Sequence, residues 1–334
     1  VGTSLEDVAR KAQVSTATVS RVLNESGAVK EATRLRVLNA IRKLNYHPNL
    51  HARTLAGGKN RSLGMVVSNL ENPFFLDIFR ALEAHAQRAE YQVLVANTDY
   101  RPERLVASMH RLLGLCPAGL ALLASEMQPA LVEELARSGV PAVLYDGGLT
   151  RPGIANIRIE YDQAMRRMVE YLYGLGHRRM AFVGHHPGLS PLGNRRKGFL
   201  KSMAALGKSV ECTTVADVDA PAGGRHAAQH LLASGFAPTA IVCVNDFMAL
   251  GVLRELQSRG VRVPAEISVT GFDDIGLAAY ACPALTSVHV PRERVGVTLF
   301  ETLVSPEKSR LALGEEMVID PALVLRESTG PCPR

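Results

Sequence analysis

The sequence predicts an all-α helix-turn-helix headpiece followed by an α/β core of two similar doubly wound parallel-sheet lobes. Three observations lead there. The first 60 residues hold ten Lys/Arg against four Asp/Glu, a net of +6, which is the net charge of the whole 334-residue chain, so residues 61–334 balance to zero. Residues 4–45 carry three short stretches at helical spacing. From about Ser62 onward, apolar runs of strand length alternate with amphipathic stretches of helix length, in two successive series.

The headpiece elements follow in order. Ser4-Leu5-Glu6-Asp7 has the form of a capping box, and Leu5, Val8, Ala9 and Ala12 recur at helical spacing. A tight turn at Gln13-Val14 precedes Ser15, which is placed to cap a second helix from Thr16 to about Leu23, with Val19, Val22 and Leu23 facing inward. Glu25-Ser26-Gly27 breaks that helix. A third runs from about Glu31 to Leu44, with Leu35, Leu38, Ile41 and Leu44 expected inside. Two helices joined by a short turn form a helix-turn-helix; an ordinary three-helix bundle is the alternative. The confined basic charge suits a polyanion partner, against a merely solvated basic terminus.

Asn45-Tyr46-His47-Pro48 reads as a stop, and Asn49 to Ala56 as a short helix closed by Gly57-Gly58. Eight residues do not hold a helix in isolation, so this one should form only against a docking partner. The strands of the first series are Leu63–Ser68, Gln92–Asn97, Gly119–Ala124 and Ala142–Tyr145. Those of the second are Met180–Val183, Val210–Val215, Ala240–Val244 and Ile267–Phe272, with Ala322–Arg326 as the last strand. Strand–helix alternation implies parallel sheets covered on both faces. Ligands of such sheets sit beyond the carboxyl ends of the strands, which places a site in the cleft between two facing lobes.

Several function classes are excluded. Apolar residues at 47 % and charged residues at 21 % mark a globular chain. The charged N-terminal stretch is unlike a signal peptide, and the apolar run Gly114 to Ala124 is too short to cross a bilayer, so no membrane partner and a cytoplasmic location are expected. Cys116, Cys212, Cys243, Cys282 and Cys332 form no CxxC pair, which argues for reduced thiols and against a metal site. No GxSxG, Walker or HExxH motif occurs, and Gly174-x-Gly176 lacks the third glycine of a dinucleotide loop. No catalytic residue, metal or cofactor is therefore assigned.

Leu5-x-Asp7-Val8-Ala9, Val14-Ser15-x-x-Thr18-Val19-Ser20-Arg21-Val22-Leu23-Asn24, Asn45-Tyr46-x-Pro48-Asn49 and Leu55-Ala56 resemble the LacI/GalR family of transcription regulators. Gly174-x-Gly176-His177-Arg178-Arg179, Arg195-x-x-Gly198-Phe199, Asn245-Asp246-x-Met248-Ala249-x-Gly251 and Gly271-Phe272-Asp273-Asp274 continue the resemblance in order along the chain. It implies a headpiece over 1–47, a hinge helix and linker over 48–60, and a periplasmic-binding-protein-like effector-binding and dimerisation core over 61–334. Lobe one would take about 61–158 and 291–319, and lobe two about 159–290 and 320–334. The implied function is a repressor, with an activator or a transport-type ligand-binding protein as alternatives. It would bind a palindromic double-stranded DNA operator as a homodimer under allosteric control by a small sugar-like effector. Only eight residues follow Ala322–Arg326 and they carry no leucine heptads, so the family's tetramer-forming helix is not expected.

The recognition helix would set Thr16 and Ala17 against base edges, with Arg21 one turn on as the main base reader, able to fork onto guanine. Ser15, Thr18 and Ser20 suit capping or phosphate contacts, and the resemblance adds Asn24 and Tyr46 to the DNA-binding set. In the hinge it implies contacts from Asn49, His51, Arg53, Leu55 and Ala56, with Leu55 as a minor-groove wedge. Two positions depart from the family pattern: Gln13 where glycine is usual, and Lys30 where a serine cap is usual. For the effector, the resemblance points to Asp146, Arg195, Asn245 and Asp273 at strand ends or helix starts. Phe74 and Phe75 would provide an apolar wall, one of the two being simply core. Val290 replaces a glutamine common in sugar binders, and Val218 an aromatic that some relatives carry, which disfavours a stacked purine.

Overall fold

A computed structural model describes residues 3–23, 27, 29–46, 60–185, 192–304 and 309–333. The chain divides into two compact units, residues 1–60 and 61–334.

In the first unit, α1 (Leu5–Ala12), α2 (Thr16–Leu23) and α3 (Glu31–Leu44) enclose a small core of Val8, Ala9, Ala12, Val19, Val22, Val37 and Ala40. The Ser4–Asp7 capping box is complete: Asp7 N donates to Ser4 Oγ, and Ser4 N donates to Asp7 Oδ2. Gln13 closes α1 in the left-handed region at φ 53°, a conformation that strains any residue with a Cβ. Lys30 precedes α3 with no side-chain cap. One expectation fails. Leu35 is 53 % exposed, because the buried stripe of α3 runs through Val37 and Ala40, flanked by Leu38, Ile41 and Leu44. The proposed DNA contacts Asn24, Asn49, His51, Arg53, Leu55 and Ala56 lie outside the described residues.

The second unit begins with β1 (Ser62–Val67), α4 (Pro73–Arg88), β2 (Gln92–Asn97), α5 (Pro102–Gly114), β3 (Gly119–Leu123), α6 (Pro129–Ser138) and β4 (Ala142–Tyr145). These are followed directly by β5 (Ile154–Ile159), a strand the sequence reading omits. The chain then builds lobe two from α7 (Tyr161–Gly174), β6 (Arg179–His185), α8 (Leu192–Ala205), β7 (Glu211–Asp217), α9 (Pro221–Ala233), β8 (Ala240–Cys243), α10 (Asp246–Ser258) and β9 (Ser268–Thr270). After β10 (Ser287–His289) it returns through α11 (Arg292–Val304), α12 (Ser309–Leu313) and β11 (Glu316–Ile319), and ends lobe two with β12 (Ala322–Val324).

The lobes share a plan but differ in size. Lobe one carries a six-stranded all-parallel sheet in the order β11-β5-β4-β3-β1-β2. Lobe two carries four parallel strands, β7-β6-β8-β9, with β10 and β12 as an antiparallel pair beside them. The chain passes between the sheets near residues 160, 290 and 320. Burial on both faces explains why the inner strands β1, β3, β4, β6 and β8 read as apolar runs rather than alternating ones.

Helix packing in lobe two depends on missing side chains. A Cβ on Gly224 would stand 2.0 Å from Met248 O, and one on Gly251 1.9 Å from Pro221 O. Thus α9 and α10 meet backbone to backbone, which fixes the loops that open both helices at the cleft.

Candidate nucleic-acid interface and effector cavity

Helix α2 has two unlike faces. Val19 and Val22 are buried, whereas Ser15, Thr16, Ala17 and Arg21 are exposed and Thr18 and Ser20 half-buried. Ser15 Oγ accepts from Thr18 N at 3.2 Å and lies 3.0 Å from Thr18 Oγ1, so the first turn is held from within. Short exposed side chains there, with a long cation one turn later, present a slim, basic helix face of the kind that enters a major groove. Tyr46 is half-buried and packs on the headpiece core, so its ring is a packing group as well as a candidate contact. The described basic residues Arg10, Lys11, Lys30, Arg34, Arg36, Arg42 and Lys43 are all exposed.

The second site lies at the carboxyl ends of both sheets. A cavity is bordered by Phe74, Phe75, Tyr145, Arg195, Asn245 and Asp273, together with Asn72, Tyr100, Leu123, Ser125 and Asp219. Five of the six expected effector residues therefore converge. Both phenylalanines border the cavity, although one was expected to be simply core. Asn72 accepts from Phe74 N at 3.1 Å and Pro73 opens α4, so the cap aims the first turn of that helix at the space. The Phe74 ring meets Phe75 edge-on at 5.3 Å and Tyr145 at 5.9 Å.

Arg195, on α8, is buried and fully oriented. Its guanidinium covers the Phe272 ring at 4.1 Å and faces Tyr161 at 5.1 Å. Nη1 donates to Val244 O at 2.8 Å, and Nη2 stands 2.9 Å from Asp273 Oδ1. Burial acts to discharge it, but the Asp273 carboxylate overrides that and holds the group cationic. Asp273 follows β9 with φ 98°. Burial pushes its carboxyl up to about 6, against the opposing Arg195 charge. Arg195 Nε and the Tyr145 hydroxyl are buried with no hydrogen-bond partner. Such groups are costly unless something satisfies them.

Asn245 serves twice. Its Oδ1 caps α10 by accepting from Met248 N at 2.9 Å, and its Nδ2 donates to Asp219 Oδ1 at 2.6 Å. Asp219 also accepts the Tyr100 hydroxyl on Oδ2, and its carbonyl accepts from Asn69 Nδ2 at 3.1 Å. These contacts join a lobe-two loop to two lobe-one loops. A second tie is Arg292, whose Nε donates to Asp77 Oδ2 at 2.9 Å and whose Nη1 donates to the Asp273 carbonyl.

Asp146 does not border the cavity. It follows β4 at φ 52°, and its carboxylate accepts from Ile159 N at 2.9 Å and from the Tyr161 hydroxyl. Burial raises it to about 7, with Tyr161 and Ile159 opposing. It braces the first crossing between lobes, one residue from Tyr145. Asp246 is likewise a brace: it accepts from Ile275 N at 2.7 Å and from Ser287 Oγ, with burial and then Asp273 raising its carboxyl well above the ordinary value. Val290 is buried, and Val218 is 49 % exposed. Sequence reasoning missed Tyr100, Ser125, Tyr145 and Asp219. The rule that ligands lie beyond strand ends pointed to them, since each ends or closely follows β2, β3, β4 or β7.

Among the described residues no group of three or more His, Cys, Asp or Glu side chains could hold a metal ion, and no helix is long and apolar enough to cross a membrane. A family model described as "Bacterial regulatory proteins, lacI family" matches residues 4–49, and one described as "Periplasmic binding protein-like domain" matches residues 169–329. The HTH-type transcriptional repressor PurR of Photobacterium profundum is 34 % identical over 327 residues, covering 97 % of this chain and 98 % of that protein. The lac repressor dimer bound to operator and the anti-inducer ONPF is similar at a TM-score of 0.83 and 28 % identity, covering 99 % of this chain and 100 % of that one. The transcriptional regulator CelR in complex with cellobiose is similar at 0.69 and 28 % identity, covering 98 % of this chain and 99 % of that one. An exposed recognition helix on a basic three-helix unit, a two-lobed core with a polar cavity, and this kinship along nearly the whole chain agree: the protein belongs to the lacI family of bacterial regulatory proteins and is a DNA-binding transcriptional repressor, not an enzyme.

Proposed function

We propose that this repressor binds a palindromic operator as a homodimer and that a small, hydroxyl-rich effector in the interlobe cavity sets its affinity for DNA. In this reading Arg21 reads a base pair through a guanidinium fork, and Thr16 and Ala17 make short apolar contacts. Ser15, Thr18 and Ser20 position the helix on the phosphates, with Asn24 and Tyr46 beside them. The hinge residues Asn49, His51, Arg53, Leu55 and Ala56 order in the minor groove, where Leu55 wedges a base step. The compartment that suits this work is the cytoplasm.

One observation carries the effector half. Arg195 Nε and the Tyr145 hydroxyl, both buried and unpartnered, belong to residues bordering one cavity. A polyhydroxylated molecule brings donors and acceptors together and would satisfy both, while the Phe74 and Phe75 rings cover its apolar face. The solved relative that holds cellobiose supports a sugar. Control of DNA binding would pass through contacts that cross the lobes, namely Tyr100 with Asp219 and Arg292 with the Asp273 carbonyl. A ligand that prefers one arrangement of these contacts shifts the population of the form that holds the two hinges in register.

The test is selection of duplexes from fragmented source DNA by the full chain, then calorimetry of the chain against a sugar panel. An enriched inverted repeat whose affinity changes at least tenfold with one sugar is expected. No enriched repeat, or no sugar that alters binding, contradicts the proposal.

A further inference from the structure

Asp219 lies outside the motifs that mark the family here, yet it occupies the centre of the cavity's polar network. Its carboxylate is buried, with Oδ1 taken by Asn245 Nδ2 and Oδ2 by the Tyr100 hydroxyl. Asn245 is locked by its capping bond to Met248 N, so that donor cannot turn away. Tyr100 is different. It comes from the loop after β2, on the opposite lobe, and its ring rests on His185 at 4.9 Å. Its hydroxyl is the one partner of the Asp219 carboxylate, among the described residues, that lobe movement can remove.

The charges bordering the cavity are equally unbalanced. Arg195 is the lone cation among the described residues that border it, against the carboxylates of Asp219 and Asp273. Its charge is already committed, with one nitrogen on Val244 O and one beside Asp273. Nε is buried without a hydrogen-bond partner, so it can donate to a neutral acceptor such as a ligand hydroxyl oxygen. An anionic ligand here would meet both carboxylates in a low-dielectric space.

We infer that Asp219 is an effector-recognition residue, that a hydroxyl or amine of the ligand takes the place of Tyr100 on its carboxylate, and that the cavity admits neutral or cationic ligands while refusing anionic ones. This rests on the reading of the cavity as the effector site and adds the charge class of what enters it.

The test is calorimetry of the full chain with matched probes: glucose, glucosamine, glucuronate and glucose 6-phosphate; galactose and galacturonate; ribose and ribose 5-phosphate; inosine and inosine monophosphate. In any set that binds, the neutral or amine member should bind at least tenfold tighter than its anionic counterpart. Tyr100→Phe should tighten that binding several-fold by freeing Asp219, and Asp219→Asn should weaken it about tenfold, with thermal melting showing that both variants fold. An anionic probe that binds as well as its neutral counterpart overturns the inference and leaves the effector cavity standing. A Tyr100→Phe variant with unchanged or weaker binding overturns the displacement of Tyr100. A panel in which nothing binds overturns this inference together with the reading it rests on.

Discussion

Arg195 and Asp273 form an ion pair at 2.9 Å with both side chains 3 % exposed, and the two residues come from α8 and the loop after β9. Removing one partner leaves the other charged and buried. Arg195→Ala should therefore cost about 3–5 kcal/mol of core stability. The double variant Arg195→Met/Asp273→Asn, which keeps a residue tolerant of the positive φ at 273, should recover part of it while remaining unresponsive to effector. Urea unfolding of the three proteins checks this; equal stability of wild type and Arg195→Ala would contradict it.

Stability should fall with rising pH through mildly acid conditions. Burial raises the Asp146 carboxyl from 3.8 to about 7 and that of Asp273 to about 6. Between 3.8 and those values the folded chain keeps protons that the unfolded chain has released. Unfolding free energy thus declines as pH rises, by up to about 1.4 kcal/mol per pH unit for each group. Asp146→Asn removes its share, so its curve of stability between pH 4.5 and 7.5 should be flatter than that of the wild type. Parallel curves would refute the assignment.

The headpiece carries two local faults that substitution should repair. Gln13 sits at φ 53°, and Lys30 offers no cap to α3. Gln13→Gly should stabilise the unit by about 1 kcal/mol, and Lys30→Ser by a similar amount, about 1 kcal/mol. Amide hydrogen exchange in α1 and α3 of the full chain reads both, as roughly fivefold slower exchange.

The close meeting of α9 and α10 makes a sharper demand. Gly251→Ala would place a methyl 1.9 Å from Pro221 O, and Gly224→Ala one 2.0 Å from Met248 O. Backbone on both sides leaves no flexible side chain to give way. Each change should cost about 1–3 kcal/mol or more, seen as a lower melting temperature of the core.

Much of the molecule is legible in its sequence, for local reasons. Helix α2 begins after Ser15 and α3 ends at Asn45, as the sequence places them, because caps act within a few residues. Strands β1, β3, β4, β6, β8 and β9 show as apolar runs because both of their faces are covered, whereas the edge strands β2 and β7 are only half-buried. The lapses are non-local. Strand β5 follows β4 after only eight residues with no helix between, so a reading built on alternation passes over Ile154–Ile159. Leu35 shares the i, i+3 spacing of Leu38, Ile41 and Leu44, but the other two helices settle against Val37 and Ala40 instead. Tyr100 and Asp219 belong to different lobes, 119 residues apart, and nothing near either one signals the other.

The most direct measurement is the affinity of the full chain and of Arg21→Ala for its selected duplex and for single-base variants of it. An inverted-repeat duplex bound by two chains is expected, with a loss of about 1–3 kcal/mol of discrimination at one symmetric pair of positions in the variant. Binding of equal strength to every duplex by both proteins would contradict it.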